Sequence, residues 1–254
     1  MFKKTGKYLK IAAALTILAG VFYSNSAAAE NASVSKKYRV AIFSGHCKNE
    51  AGKGMSGATS FGKRPEIYFN DTLSVRFEKA STGEIEYIVF KASDNIPLRI
   101  RPAIARCVRA DACLEIHHDS AQKDDILKKR WSEMEGFSLF FHSGNAVGKK
   151  SLCLAEALGD EMIKNGFKPN HYHTKKIRGE GMNEIDAKRA IYDRDLFINL
   201  NAEVPTVLIE CGCLESPDEE KMLLDADKSR KIYNSLVGGI ESFVKDTDEA
   251  EVSD

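Results

Sequence analysis

Tyr38-Arg39-Val40-Ala41-Ile42-Phe43, followed at once by Ser44-Gly45-His46, is the stretch whose reading decides the fold. It is a short apolar run of β type that stops at a small-residue turn and a histidine. The same form recurs at Glu86–Phe90 (EYIVF), Ala112–Ile116 (ACLEI), Phe137–Phe141 (FSLFF) and Thr206–Ile209 (TVLI). Helical spacing fills the intervals. Glu66 to Lys79 has apolar residues at Ile67, Phe69, Leu73 and Phe77, and Leu98–Arg109 follows with Pro102 confined to a first turn. Lys149–Lys164 is amphipathic through Leu152, Ala155, Leu158 and Met162 and ends at Asn165-Gly166. Lys228–Val244 closes the series with Ile232, Leu236, Ile240 and Phe243 on one face. The order β-α-β-α-β-β-α-β-α predicts one α/β domain: a mixed, mostly parallel sheet with helices on both faces. Residues 121–135 read as a charged surface helix or loop, and Lys168–Asn199 shows no clear period.

The chain has 254 residues, with 37 basic and 37 acidic side chains and 43% hydrophobic residues. This composition excludes a collagen, a coiled-coil rod and a wholly disordered chain. The balance averages unlike parts. Met1–Lys10 is basic, Ile11–Phe22 apolar, and Ser26-Ala27-Ala28-Ala29 small, which is the three-part layout of a secretory signal ending near Ala29. The apolar run is shorter than the roughly 20 residues of a comfortable membrane span, and no later segment is long and apolar enough, so no transmembrane span is expected in the mature chain. Residues 246–254 form an acidic tail. The body between, 30–245, holds 33 basic against 32 acidic residues, which gives no reason to expect nucleic acid as a partner. The domain reading is therefore a signal at 1–29, one folded domain at 30–245 and a tail at 246–254.

Open α/β sheets build their sites beyond the carboxyl ends of strands. Three apolar runs end in a potential ligand or acid there: YRVAIF before His46, ACLEI before His117, and TVLI before Glu210. Glu66 opens the helix after the glycine-rich loop Gly52–Gly62. Two imidazoles and a carboxylate suit a zinc site that leaves one position for water, with the second carboxylate acting on that water. Taken singly, each of these residues is more often a hydrogen-bonded loop residue than a ligand. No HExxH helix is present.

The chain resembles the zinc-dependent N-acetylmuramoyl-L-alanine amidases of the amidase-3 family. The resemblance rests on Val40-Ala41-Ile42-Phe43-Ser44-Gly45-His46, Glu66 with Asn70 one turn later, and Leu98 with Arg101. It continues through Ala110-Asp111 to Ile116-His117, then Gly136, Ser151 and Leu154-Ala155, and finishes with Pro205-Thr206-Val207-Leu208-Ile209-Glu210-Cys211-Gly212. It implies His46, Glu66 and His117 as ligands of one zinc ion, Glu210 as the catalytic glutamate, and peptidoglycan as the substrate, cut between N-acetylmuramic acid and L-alanine. Three positions depart from the family pattern. Glu115-Ile116-His117-His118-Asp119 stands where Ser-x-His-x-Asn is usual, Lys91 where Arg is common, and Cys213 where an aromatic is common. Residue chemistry alone also admits a zinc peptidase acting on stem peptides, or a wall-binding module without turnover. Some relatives carry a helical insertion over the zinc between the fourth strand and the following helix. Here only the short loop His142–Lys150 stands at that place, and Gln122–Arg130 reads as a solvated segment.

Alternation along a strand puts His117 and His118 on opposite faces, so one of them joins the site, and the family match selects His117. His118 is then a neighbour behind the site or a solvent-facing residue. His171 and His173 would share one face of any strand and so could bind metal, and His142 reads as a loop residue. Export makes Cys47, Cys107, Cys113, Cys153, Cys211 and Cys213 candidates for disulfides. Cys113 and Cys153 sit in apolar-patterned segments and read instead as small buried residues. Cys211 and Cys213 would point the same way on a strand. The N-terminal reading has a direct check. Mass spectrometry of the exported protein should find Glu30 at the amino terminus, and a product still carrying Lys10 would overturn it.

Overall fold

The computed structural model describes residues 37–47, 56–174 and 182–253. The segment read as a secretory signal, the first part of the glycine-rich loop and Asp254 lie outside the described residues. One sheet carries seven strands: β1 (Tyr38–Ser44), β2 (Ile85–Phe90), β3 (Ala112–Asp119), β4 (Ser138–Phe141), β5 (Met182–Asp186), β6 (Ile191–Arg194) and β7 (Thr206–Cys213). Their order across the sheet is β2-β1-β3-β7-β4-β6-β5. β2, β1, β3 and β7 run parallel, β4 turns antiparallel to β7, β6 follows β4 in parallel, and β5 closes antiparallel to β6. The mixed, mostly parallel α/β sheet is thus the one the sequence pattern predicts.

Both faces of the sheet are covered, which is why its strands lack the polar alternation of half-exposed ones. On one face Val40, Ile42, Leu114, Ile116, Val207 and Ile209 form the main core. They pack with side chains of α1 (Glu66–Ser74), α4 (Gly148–Lys164), α6 (Pro217–Leu224) and α7 (Ala226–Ser253). On the other face Ala41, Phe43 and Cys113 meet Ala105 of α2 (Arg101–Cys107). Further along, Phe140, Tyr192 and Leu208 meet Ile198 of α5 (Phe197–Leu200). The short α3 (Lys123–Leu127) buries none of its residues, as its charge predicts.

Local chemistry explains where the elements end. α1 tightens into a 3-10 turn at Val75–Lys79, and a second such turn at Leu98–Ile100 feeds α2, whose Pro102 lies in the first turn. α6, which periodicity does not announce, starts at Ser216, whose hydroxyl accepts from Glu219 N, with Pro217 behind it. The stretch without a period holds the β5–β6 hairpin and α5. α7 continues through the acidic residues to Ser253. No helix of the described residues is long and apolar enough to cross a membrane.

Cys113 is a small buried residue, as its apolar segment predicts, and the other cysteine readings need correction. All six thiols are free. Cys153 is exposed, because it sits beside Leu152 and off the buried line of Leu154, Ala155 and Leu158. Cys211 and Cys213 are both buried but in separate clusters, Cys211 in the main core and Cys213 with Met134 and Tyr172.

Leu158 is fully buried where α4 meets α7 at Gly239. Leu158→Ala should destabilise the fold by about 2–5 kcal/mol, read as a lower denaturant midpoint with an unchanged m-value.

Candidate metal centre

Parallel register carries the polar residues to one end and one face of the sheet. His117 of β3 and Glu210 of β7 are Cα partners, so their side chains stand side by side. On β1, Ser44 pairs with Ile116, and the chain then turns through Gly45 to His46. His46 adopts φ +63°, a conformation costly for a residue with a side chain. Arg101 holds the turn in place by donating from Nη2 to the His46 carbonyl at 2.7 Å.

Glu66, the first residue of α1, is buried between the two imidazoles. Its Oε2 lies 2.9 Å from His46 Nε2 and accepts from Ala58 N at 2.9 Å. Its Oε1 lies 3.0 Å from His117 Nδ1 and accepts from Asn70 Nδ2 at 3.1 Å and His118 N at 3.2 Å. The two rings stand 4.9 Å apart at 72°. Two glycines permit this crowding. A Cβ at Gly45 would lie 2.6 Å from the His117 ring, and one at Gly57 would lie 2.2 Å from Glu66 Oε2. Gly57 also takes φ +75°.

Behind the rings a buried ion pair braces the site. Glu115 is on the same face of β3 as His117, accepts from Arg101 Nη1 at 2.9 Å, and has its other oxygen 3.6 Å from His117 Nε2. Such a pair is costly to bury unless its remaining donors are used, and Arg101 uses one on His46. His118 points to the opposite face, as alternation predicts. It is buried rather than solvent-facing, with Nδ1 donating to Asn70 Oδ1 at 2.7 Å.

Charge in the cluster is strongly redistributed. Burial alone would raise the Glu66 carboxyl, but the imidazoles of His117 and His46 hold it well below the ordinary carboxylate value. Burial disfavours a charged His117, yet Glu115 and Glu66 together lift it to about 10. Burial lowers His118 to about 4, keeping it neutral. Glu210 is driven well above its usual value, first by burial and then by the neighbouring Asp119 charge. Its Oε2 is buried without a hydrogen-bond partner.

These groups line an open cleft of about 360 Å³. One ligand atom each from His46, Glu66 and His117 lies within 4.8 Å of the others, so the three can hold a metal ion. The donor set fits one, since the carboxylates of Glu115, Glu66 and Glu210 draw onto His117 a proton that a bound cation would replace. All four residues singled out in the sequence therefore meet here.

The other histidines do not join them. Tyr172–Thr174 is a 3-10 turn, not a strand, so His171 and His173 part company. His171 pairs on the surface with Glu184 at 3.1 Å, and buried His173 bonds Asp119 Oδ2 at 2.5 Å. His142 lies between Asp193 and Asp195. Sequence reasoning missed Asp119 with His173, and Arg194. Asp119 could have been found, because it lies on the same face of β3 as Glu115 and His117. His173 was read only as a possible metal partner of His171, and Arg194 sits in the stretch without a period, where no signal marks it.

The profile of the amidase-3 family, described as N-acetylmuramoyl-L-alanine amidase, matches residues 40–242. No curated protein sequence matches the chain. Among solved structures, the fold is shared by the N-acetylmuramyl-L-alanine amidase Ami1 of Mycobacterium smegmatis, with TM-score 0.67 and 21% identity over 85% of this chain and 100% of that one. The catalytic domain of the amidase CwlV from Bacillus (Paenibacillus) polymyxa var. colistinus gives 0.63 and 19% over 82% and 98%. The N-acetylmuramoyl-L-alanine amidase of Clostridium difficile 630 gives 0.62 and 20% over 83% and 98%.

Gly45→Ala puts a methyl group against the His117 ring. Bound metal per protein, measured by elemental analysis, should fall at least about tenfold, as loss of ligand support does. The melting transition should remain cooperative, since the sheet core is untouched.

Proposed function

The chain belongs to the amidase-3 family of N-acetylmuramoyl-L-alanine amidases and hydrolyses the amide between N-acetylmuramic acid and L-alanine of peptidoglycan, and we propose that it does so with one zinc ion on His46, Glu66 and His117 and with Glu210 as general base and acid. One observation carries this reading: the three donor atoms lie within 4.8 Å of one another beside Glu210, the strand partner of His117. Zinc, when bound, supplies a Lewis acid for the scissile carbonyl and makes water more acidic.

The protein's own groups do the rest. Glu66 neutralises part of the ion's charge and is fixed by Ala58 N, Asn70 and His118 N, so it cannot swing away. Arg101 and Glu115 hold the backbone of His46 and the ring of His117 from behind. Glu210 takes the proton of the attacking water at its carboxylate and delivers it to the amide nitrogen, which leaves poorly unless protonated. Its partly apolar surroundings favour the protonated form and so support the second half of that shuttle. We also propose that the protein acts after export, in the periplasm or outside the cell. The layout of residues 1–29 and the extracytoplasmic location of peptidoglycan support this.

Glu66 and Glu210 have different work and should separate under mutation. Glu66→Gln should lose zinc and activity together. Glu210→Gln should keep stoichiometric zinc while release of peptides beginning with L-alanine from purified peptidoglycan falls on the order of 10²–10⁴-fold. A zinc-loaded Glu210→Gln protein that cleaves at near wild-type rate would remove Glu210 from the role assigned to it.

A further inference from the structure

The cleft is not symmetric about Glu210. Towards β1 its wall is made by His46, Gly57 and Ala58. In the other direction it runs over Leu208 to Arg194, flanked by Leu196, Phe197 and Ile198. Among the described residues, Arg194 is the one Lys or Arg lining this cleft. Register explains how it gets there. Arg194 ends β6 on the same face as Tyr192, and its guanidinium lies over the Phe140 ring, 5.6 Å from the centroid. Phe140 is the strand partner of Leu208, two residues before Glu210 on β7.

This layout orients the substrate. The leaving nitrogen must lie at Glu210 to receive its proton, with the acyl half towards His46, Glu66 and His117. The departing peptide then continues from Glu210 over Leu208 and Phe140. The second residue of a peptidoglycan stem is a glutamate joined through its side chain, so its α-carboxyl hangs free or is amidated. That carboxyl lies roughly 6 Å from the scissile nitrogen in an extended chain. Leu208, which floors the cleft on the way to Arg194, lies two residues, or roughly 7 Å, back along the strand from Glu210, so that carboxyl is carried beyond Glu210 towards Arg194.

We propose that Arg194 binds the α-carboxylate of the second stem residue and makes the enzyme selective for stems in which that group is free rather than amidated. The inference rests on the amidase reading above. Arginine suits the task because its planar fork matches a carboxylate, and stacking on Phe140 fixes the plane. The apolar side chains of Leu196 and Phe197 reduce water's screening of the contact.

The test compares two soluble disaccharide-peptides, one with D-glutamate and one with D-isoglutamine at the second position, on the zinc-loaded full protein. Wild type should favour the free acid by about 10-fold or more in kcat/KM, mostly through KM, as a charge-assisted contact outside the reacting atoms requires. Arg194→Gln should abolish that preference, raising KM about 10-fold for the acid and changing the amidated substrate less than about twofold. Arg194→Lys should retain part of it, since charge remains and the fork is lost. Turnover of the amidated substrate reports that each variant is folded and active. A wild-type enzyme indifferent to amidation, or an Arg194→Gln variant that keeps the preference, overturns the inference. Hydrolysis of neither substrate by wild type would instead refute the amidase reading itself.

Discussion

The buried carboxylate of Glu66 is the interaction on which the site depends. It reaches the end of β1 through His46, the end of β3 through His117 and the backbone of His118, and the glycine-rich loop through Ala58 N. A carboxylate taken out of water needs partners for nearly all its lone pairs, and this one has them. That demand fixes the first turn of α1 against two strand ends. It also explains why the turn before His46 and the loop over Glu66 contain glycine, since any side chain at Gly45 or Gly57 would occupy the space of the His117 ring or the Glu66 carboxylate.

A second buried charge completes the arrangement. Glu115 points into the site face of β3, where an apolar or small residue would cost less to bury. Arg101 compensates it and spends another donor on the strained His46 backbone. The pair therefore converts an expensive burial into a rigid support for both imidazoles. This is a better account of its presence than a gain in stability, because buried ion pairs seldom repay their desolvation. Asp119 and His173 form a comparable pair on the far side of Glu210. The site is thus flanked by acids whose partners lie outside the cleft, leaving the negative charge within it for a cation to meet.

The sheet divides labour between its faces. One face, covered by α1, α4, α6 and α7, holds the larger apolar core and supplies stability. The other is covered by smaller elements, α2 and α5, and leaves the carboxyl ends of β3 and β7 open to the cleft. Because β4 and β6 run against β7, the cleft does not end at Glu210. It is floored by Leu208 and walled by Leu196, Phe197 and Ile198, with Arg194 at its far side. A parallel continuation would have brought strand carboxyl ends there instead, and with them a different wall.

How much of this was legible in the sequence depends on the range of the interactions concerned. Strands such as YRVAIF and TVLI and the long α4 and α7 were readable, because apolar period is a local property of the chain, while His46, Glu66, His117 and Glu210 were singled out by their places at strand ends and a helix start together with the family resemblance. The alternation rule also separated His117 from His118 correctly. What the sequence could not give is the direction of β4, the pairing of Glu115 with Arg101, the parting of His171 from His173, or the approach of Arg194 to Glu210. Each of these joins residues whose partners are set by sheet order and by burial of charge, and no local pattern encodes either. The local elements that carry the four residues were thus determined along the chain, while their meeting and the shape and charge of the cleft around them were decided only when the strands came together.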